Sequence, residues 1–504
     1  MCAAVLAFAV AGSVYRERYR PQVHFSPRAH WTNDPNGLVH FHGEYHLFFQ
    51  YNPFGDQWGH MSWGHAVSRD LLHWRELPVA IPEVDNEMVF TGSVVVDKQN
   101  TSGFCASGKE CLIAIYTGHR TGAGEVRQTQ NLAYSRDDGR TWKRYERNPV
   151  IDLQMADFRD PSVFWDDKET HWLMAVSLPS EHKIRFYSSP DLKRWNQLSD
   201  FGPAGDLNGD WECPNLLRVP DGSGSADVWV LKIGLNPGAL QGGSGEQYFL
   251  GSFDGKQFVP LNTSVLFGDS AHGARSPERG PHGWTNYGKD DYCAISFNNL
   301  PPGDKPVLIG WMNNWQYAAK LPTFPWRGQM SLPRRLSLQK DQAGIAIKQE
   351  PITVPLRGEH KLLGEAKSNH IAGALAPPFE LELDFGNPSE QIFGIRLYTD
   401  KDHWTEIGFD RANRAFYTDR THSSAAIAPD FPTRTIAPLA ESRPYNLRLI
   451  VDCSSIEAYA QNGTIAMTNL IFPVSTSNRI ELFSANGRPV AVTGDIWKLR
   501  SIWE

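Results

Sequence analysis

The chain has 504 residues, too many for one hydrophobic core of ordinary size, so at least two domains are expected. Its 49 basic and 56 acidic residues give a net charge of −7 without any basic run, which argues against nucleic acid and anionic membranes as partners. Aromatic residues make up 12% of the chain, and their rings suit carbohydrate ligands as well as the cores of large β proteins.

The first thirteen residues form a short apolar stretch that ends in small residues. This stretch is too short to span a bilayer, and it resembles a secretory signal that lacks the usual preceding basic residues. We therefore expect residues 1–13 to be a signal peptide or an N-terminal tail, and the protein to be secreted or periplasmic. Sequons at Asn100, Asn262 and Asn462 agree with secretion without deciding it.

Three acidic residues lie in short motifs within the first 212 residues. Pro, Gly or Asn beside each of them predicts a turn or loop, and each motif also carries aromatic residues. Carboxylates placed in this way can converge in a cleft, and a pair of carboxylates is what glycoside hydrolysis requires. The motifs are Trp31-Thr32-Asn33-Asp34-Pro35-Asn36-Gly37, Phe158-Arg159-Asp160-Pro161 and Trp211-Glu212-Cys213-Pro214-Asn215.

Histidines at positions 40, 42 and 46 raise the question of a metal site. Intervals of two and four would place them on one face of a strand. No fourth ligand or supporting carboxylate is apparent, so neither a metal nor a cofactor is expected.

Six cysteines are too few for a disulfide scaffold in a chain of this length. Cys105 and Cys111 flank a short polar stretch and are the pair for which a bridge is considered first. Cys213 has no evident His partner, so it is expected to be a buried free thiol rather than a nucleophile.

A turn motif recurs along the first half of the chain, and its serines are 67, 54 and 63 residues apart. Between the copies lie short apolar runs bounded by Gly, Pro and Asn, without a long helical period. A β unit of this length repeated around an axis is typical of a propeller blade, although a solenoid or two stacked sandwiches would also fit. Four copies and a further apolar segment at 307–315 suggest five blades; the copies begin at Ser68, Ser135, Ser189 and Ser252.

The pattern changes near residue 340. Apolar and polar residues alternate from Phe379 to Phe385 and from Tyr445 to Val451, except that Ile450 interrupts the polar face. Such alternation predicts strands with one buried and one wet face, and hence a β-sandwich. The expected organisation is all-β: a propeller over residues 14–340, a linker over 341–356 and a β-sandwich over 357–504.

The three acidic motifs, in this order, resemble the signature blocks of glycoside hydrolase family 32, the invertases, inulinases and levanases. The resemblance covers nearly the whole chain and implies a five-bladed propeller followed by a β-sandwich. Further matching blocks lie at 49–53, 58–66, 90–93, 311–317, 325–327 and 451–457. The block at 287–292 is most similar to bacterial and fungal exo-fructosidases that act on levan and inulin. Thr32 and Asp291 depart from the common pattern, and Asp291 is expected to alter the pocket edge.

The resemblance implies a role for each carboxylate. Asp34 would be the nucleophile, Glu212 the acid/base and Asp160 the transition-state stabiliser. Amides of Asn33 and Asn36 are expected to keep Asp34 ionised, and Trp211 with Pro214 to form a dry wall that favours protonated Glu212.

Seven residues are expected to bind the terminal fructose or support the carboxylates. Arg159 would reach Glu212 or a sugar hydroxyl, with a structural Arg–Asp ion pair as the alternative. For the Trp residues simple core packing is the alternative. The set is Asn33, Gln50, Trp58, Phe90, Thr91, Arg159 and Trp315.

The expected activity is that of a retaining, exo-acting β-fructosidase on sucrose or fructan, and a homo-oligomer is possible. A fructosyltransferase on the same scaffold would use the same carboxylates and differ in its acceptor. A catalytically inactive fructan-binding protein is disfavoured by the intact carboxylates. If the family were different, an inverting propeller enzyme acting on arabinan or xylan would be next.

Overall fold

The structure, a computed structural model, describes residues 15–122, 125–220, 227–261, 282–363, 370–424, 427–475, 478–488 and 490–503. The predicted signal or tail and the sequon at Asn262 lie outside these residues. The described chain consists of β-strands and short 3-10 turns, the latter at Pro179–Glu181, Ala318–Lys320, Val354–Leu356 and Gln461–Gly463. No helix in this part of the chain is long and apolar enough to cross a membrane.

Five antiparallel sheets occupy the first 351 residues. The first contains β1 (His30–Phe41), β2 (Glu44–Asn52), β3 (Ser62–Ser68) and β4 (Arg75–Ile81). The second contains β5 (Glu87–Asp97), β6 (Cys111–Gly122), β7 (Glu125–Ser135), β8 (Lys143–Arg144) and β9 (Ile151–Met155). The third contains β10 (Arg159–Asp166), β11 (His171–Leu178), β12 (Lys183–Ser189) and β13 (Asn196–Phe201).

The fourth sheet contains β14 (Asp210–Pro220), β15 (Asp227–Asn236), β16 (Gly245–Phe253), β17 (Phe258–Pro260) and β18 (Gly283–Trp284). The fifth contains β19 (Tyr292–Ser296), β20 (Val307–Trp311), β22 (Arg334–Asp341) and β23 (Gly344–Pro351). The two-residue strand β21 (Trp326–Arg327) lies between β20 and β22 in the sequence but belongs to the first sheet, where it pairs in parallel with the start of β1.

The sheets are the blades of a five-bladed propeller. Their first strands contact one another in the order β1, β5, β10, β14, β19 and back to β1, which places these strands around a common axis. The pairing of β21 with β1 joins the last blade to the first. The predicted propeller and its blade number are therefore confirmed.

The recurring turn joins the third and fourth strands of the first four blades. In the first copy Asp70 Oδ1 accepts from the backbone N–H groups of Leu72 and His73 at 3.0 and 2.9 Å. Asp137, Asp191 and Asp254 accept from backbone N–H groups in the same way. Because the third strand runs parallel to the first, these turns lie at the ends of the blades opposite the starts of the inner strands.

The predicted linker at 341–356 is wrong over most of its length. Residues 344–351 form β23, which completes the fifth blade. Its pairing with β22 runs from Gly344 opposite Asp341 to Pro351 opposite Arg334. The segment looks like a linker because one side of this edge strand is polar, but Ile347 is 3% exposed and packs into the blade.

The remaining strands form a sandwich of two six-stranded sheets around an aliphatic and aromatic core, as predicted. One sheet has the order β24 (Arg357–Leu363), β35 (Thr493–Leu499), β26 (Phe379–Asp384), β31 (Asn446–Val451), β32 (Ser455–Ala460) and β33 (Ile465–Leu470). The other has the order β25 (His370–Leu375), β34 (Asn478–Ser484), β27 (Ile392–Tyr398), β28 (Trp404–Asp410), β29 (Ala415–Asp419) and β30 (Arg434–Pro438).

The outer face of the first sandwich sheet packs on the propeller, and this explains the interruption at Ile450. Ile450 and Tyr459 share one buried cluster with Phe25 and Phe49 of the propeller region. Glu380, predicted to be wet, is also buried on this face, where Arg357 and Arg448 donate to its carboxylate at 2.7 and 2.6 Å.

The three histidines do not share a strand face. His40 lies near the end of β1, His42 lies in the turn that follows, and His46 lies in β2. His46 Nδ1 lies 3.0 Å from His65 Nε2, and His42 pairs with Glu110 and Asp138. The predicted common face is therefore wrong, because a turn separates the residues.

Candidate active site

Each of the five inner strands carries a break in its pairing with the second strand, near its start. The breaks fall between Thr32 and Pro35, Val89 and Gly92, Arg159 and Ser162, Glu212 and Asn215, and Tyr292 and Ile295. A β-bulge of this kind re-aims side chains next to it. The acidic motifs were predicted as turns or loops, but they are bulged strand starts at one end of the propeller axis.

Asp34 lies in the bulge of the first blade. Thr91, in the bulge of the second blade, donates from Oγ1 to Asp34 Oδ2 at 2.9 Å, while no side chain or backbone group among the described residues bonds the buried Oδ1. Burial and the nearby Asp160 and Glu212 carboxylates raise the pKa of Asp34 to about 8, although hydrogen bonds from Thr91 and Asn33 oppose this. Asn33 therefore lowers the pKa of Asp34 as expected, but burial and the two carboxylates raise it by more.

The amide of Asn36 does not reach Asp34. In the orientation that satisfies its neighbours it bonds the carbonyl of Pro35 and the backbone and side chain of Gln50. Its predicted contribution to the ionisation of Asp34 is wrong, because its side chain is directed to the second strand of its own blade.

Asp160 lies in the bulge of the third blade with a φ of 67°. Its Oδ2 accepts from the backbone N–H of Cys213 at 2.9 Å, and its own N–H donates to Thr117 Oγ1 at 3.0 Å. Burial and the Glu212 carboxylate raise the pKa of Asp160 to about 7, and Arg159 opposes them. Burial and the like charges therefore disfavour the state in which Asp34 and Asp160 are both ionised.

Both oxygens of Glu212 are held by hydrogen bonds. Arg159 donates from Nε to Oε1 at 3.0 Å, and the hydroxyl of Tyr292 donates to Oε2. Arg159 also pairs with Asp157 at 2.8 Å, so it reaches Glu212 as expected and takes as its second partner an Asp outside the sequence motif.

The predicted dry wall of Trp211 beside Glu212 is wrong. Trp211 is fully buried between the third and fourth blades, and its Nε1 donates to the carbonyl of Asp206 at 3.0 Å. Successive residues of a strand face opposite sides, so the neighbour of Glu212 in sequence is turned away from it.

Cys213 is not a free thiol. It forms a disulfide with Cys293, with the Cα atoms 5.4 Å apart, and both residues are buried in the bulges of the fourth and fifth blades. The Cys105–Cys111 bridge considered from the sequence is present, with Cα atoms 5.3 Å apart.

Aromatic side chains surround the carboxylates. Trp315 stacks on Trp31 with ring centroids 5.8 Å apart, and Trp58 meets Phe90 edge to face at 6.1 Å. Trp58 is 46% exposed, which excludes the alternative that it is a core residue, whereas Trp315 packs partly against the buried cluster around Trp31.

Gln50 and Asp291 do not occupy the positions expected from the sequence. Gln50 is buried, and its amide donates to the carbonyl of Val89 at 2.9 Å, so this amide hydrogen is already used. Asp291 does not form the pocket edge, because it is buried and both of its carboxylate oxygens accept from Arg334 Nη2, at 3.1 and 2.9 Å. Burial raises the pKa of Asp291 to about 6.

Asn298 links inner strands of the propeller. It donates from Nδ2 to the carbonyls of Val94 and Val163 at 2.9 and 3.0 Å, and its backbone pairs with Leu38 and His40. It thereby joins the inner strands of three blades, and it lines a cavity that also borders Asp160 and Cys213.

The sequence was compared with models of known protein families. The model described as "Glycosyl hydrolases family 32 N-terminal domain" matches residues 24–351, and "Glycosyl hydrolases family 32 C terminal" matches residues 356–498. The chain belongs to glycosyl hydrolase family 32. It is therefore a glycoside hydrolase.

Several family 32 proteins are similar over nearly the whole chain. A levanase of Bacillus subtilis is 41% identical over 99% of this chain and 73% of its own length. An extracellular exo-inulinase of Aspergillus awamori is 39% identical over 97% of this chain and 96% of its own. The crystal structure of exo-inulinase from the same species covers 97% of this chain and 100% of its own, with a TM-score of 0.89 and 37% identity.

In this family 32 chain, Tyr292 is a site residue that has no expected role from the sequence. The residue was visible as part of a matching block, but its contact with Glu212 depends on the spacing between two blades. Its position just before the bulge of the fifth inner strand matches that of Glu212 in the fourth, and this periodicity is the signal by which it could have been found.

Proposed function

We propose that the chain is a retaining, exo-acting β-fructosidase that hydrolyses terminal β-D-fructofuranosyl bonds of fructans such as levan and inulin, and of sucrose. The observation that carries the proposal is the difference in hydrogen bonding between two carboxyl groups, those of Glu212 and Asp34. Both oxygens of Glu212 are held, whereas Asp34 keeps one oxygen unpaired. The family relationship and the named relatives support the choice of sugar.

Asp34 is the proposed nucleophile. Its Oδ1 has no partner, and the Thr91 hydrogen bond to Oδ2 orients the carboxylate. Attack of Oδ1 on the anomeric carbon forms a covalent fructosyl ester as the bond to the leaving oxygen breaks. Water then attacks the same carbon, so the configuration is retained overall.

Glu212 is the proposed acid/base. It donates its proton to the leaving oxygen in the first step and takes a proton from water in the second. Arg159 and Tyr292 fix the orientation of the carboxyl group between the two steps.

The raised pKa of Asp34 bears on how the nucleophile becomes ionised. Burial and the neighbouring carboxylates disfavour its charged form in the free pocket. Sugar hydroxyls that donate to Asp34 and Asp160 favour their ionised forms. Substrate binding thereby promotes the form of Asp34 that attacks the anomeric carbon.

Asp160 is the proposed transition-state stabiliser. The backbone N–H of Cys213 holds its Oδ2, which directs the carboxylate toward the sugar. Hydrogen bonds from two fructose hydroxyls would strengthen as the ring flattens and gains positive charge.

The named relatives support exo-action, because an extracellular exo-inulinase of Aspergillus awamori is similar over nearly the whole length of both chains. The aromatic rings of Trp58, Phe90 and Trp315 would pack against the apolar faces of the terminal sugar.

A time course of products from sucrose, inulin and levan tests the proposal. Free fructose from the earliest points is expected, with the β-anomer detected first by NMR. Early oligosaccharides would contradict exo-action, and kestose-type products dominant at high sucrose would identify a transferase instead. Binding of fructan without release of fructose would contradict catalysis altogether.

A further inference from the structure

The Cys213–Cys293 disulfide lies directly behind the proposed acid/base. Cys213 follows Glu212 in β14, and Cys293 follows Tyr292 in β19. Both cysteines occupy bulges, with φ values of 48° and 50°. The bridge therefore joins the two strands one residue beyond the points from which Glu212 and Tyr292 project.

The two strands belong to different sheets. β14 pairs with β15 and β19 pairs with β20, so no ladder of backbone hydrogen bonds sets the distance between β14 and β19. The hydrogen bond from Tyr292 to Glu212 spans this boundary, and its geometry depends on the separation of the strands. A covalent bridge beside it restricts that separation more strongly than side-chain packing does.

The bridge also forms part of the pocket floor. Its sulfur atoms lie within 4.8 Å of a carboxylate oxygen of Asp34, and the N–H of Cys213 donates to Asp160. The bridge thus borders all three proposed catalytic carboxylates, although it offers no group that takes part in proton transfer.

We propose that the Cys213–Cys293 disulfide is a positioning element that holds Tyr292 against Glu212 and so aligns the acid with the leaving oxygen. The proposal rests on the proposed function, because it assigns protonation of the leaving group to Glu212. Loss of the bridge should impair the reaction in proportion to how much the leaving group needs a proton.

Two substrates separate this role from a merely structural one. Sucrose has a poor leaving group that needs protonation, whereas p-nitrophenyl β-D-fructofuranoside has a good one that needs little. For Cys293→Ala we expect kcat/KM on sucrose to fall about tenfold and that on the aryl fructoside to stay within about twofold. Tyr292→Phe should give the same pattern, and the double variant little more than either single change.

The second disulfide provides a matched control. Cys105 and Cys111 are only six residues apart and close a loop between β5 and β6, away from the bulged starts of the inner strands. The double variant Cys105→Ser, Cys111→Ser should leave kcat/KM on both substrates unchanged. Thermal unfolding of every variant, with Cys213→Ala as a second way to open the bridge, checks that the fold is retained.

Peptide mass spectrometry of the alkylated wild-type protein, with and without reduction, establishes whether the bridge exists. Free thiols at 213 and 293 would overturn the proposal. Equal losses of kcat/KM on both substrates, or no loss on either, would also overturn it. If the wild type releases fructose from neither substrate, the proposed function fails, and this result is separate from the state of the bridge.

Discussion

Thr91 and Asp34 lie in adjacent blades, and the threonine hydroxyl donates to one carboxylate oxygen at 2.9 Å while the other oxygen stays unpaired. The two residues occupy equivalent bulges of the first and second inner strands. The Thr91 hydrogen bond thus makes the two oxygens of Asp34 different from each other. The role of Thr91 can be tested by substitution.

Replacement of Thr91 by Val removes the hydroxyl at nearly constant volume. A hydrogen bond to a charged group contributes about 1.5–3 kcal/mol, so kcat/KM on sucrose should fall about 10- to 100-fold. Thr91→Ser keeps the donor and should retain most of the activity. Equal activity of the Val and Ser variants in steady-state kinetics would show that the hydroxyl does not support the nucleophile.

Substitution of the proposed catalytic carboxylates should separate their roles. Asp34→Ala and Glu212→Ala should each lower kcat on sucrose by at least about 10²- to 10⁴-fold while the fold is retained. Azide should restore turnover of an activated aryl fructoside only to Glu212→Ala, because the small anion replaces the missing base. A rescued Asp34→Ala whose product keeps the substrate's configuration would contradict the assignment.

The raised pKa of Asp34 predicts a pH-dependent gain in stability for Asp34→Asn. Asp34 has a pKa of about 8 in the folded protein and an ordinary value of about 4 in the unfolded chain, so the folded state loses stability as the pH rises from about 4 to 8. The neutral amide avoids this loss. Urea unfolding should show a gain of about 2–4 kcal/mol at pH 8 and a smaller one at pH 5.

A constant difference between the wild type and Asp34→Asn across this range would mean that Asp34 is not perturbed in the folded state. Glu359→Gln serves as a surface control, because it removes one exposed acid in β24 of the sandwich, outside the propeller that holds the pocket.

The two pocket tryptophans should respond differently to truncation. Trp58 is 46% exposed, so Trp58→Ala should raise KM for sucrose about tenfold with an unchanged thermal midpoint. Trp315 packs on Trp31 and Trp311, and Trp315→Ala should also lower the midpoint by several degrees. Steady-state kinetics and calorimetry on the two variants check this contrast, and a destabilised Trp58→Ala would contradict it.

A buried ion pair joins the propeller to the sandwich. Arg420 donates from Nη1 to Asp290 at 2.6 Å and from Nη2 to Tyr317 at 2.8 Å, and all three side chains are buried. Arg420→Met leaves the Asp290 carboxylate without its charge partner, which should cost about 3–5 kcal/mol of unfolding free energy. Lys143→Met, which breaks an exposed pair with Glu146, should leave the urea midpoint unchanged.

Much of the fold was accessible from the sequence, because repeated turns and period-two alternation are local signals. The contact of Glu212 with Tyr292 was not, because a strand places adjacent residues on opposite faces and a bulge then changes which face each one uses. Trp211 is therefore turned away from Glu212, while Tyr292, 80 residues further on, bonds to it. The linker was mispredicted for a related reason, since an edge strand with one polar side has the composition of a connecting segment.

The five bulges occur at equivalent places in five inner strands, yet no two blades carry the same pair of residues there. The backbone thus offers five equivalent positions whose side chains are independent of the hydrogen bonding that holds each blade together. Evolution can therefore change the reactivity or selectivity of such a pocket one blade at a time, without redesigning the scaffold.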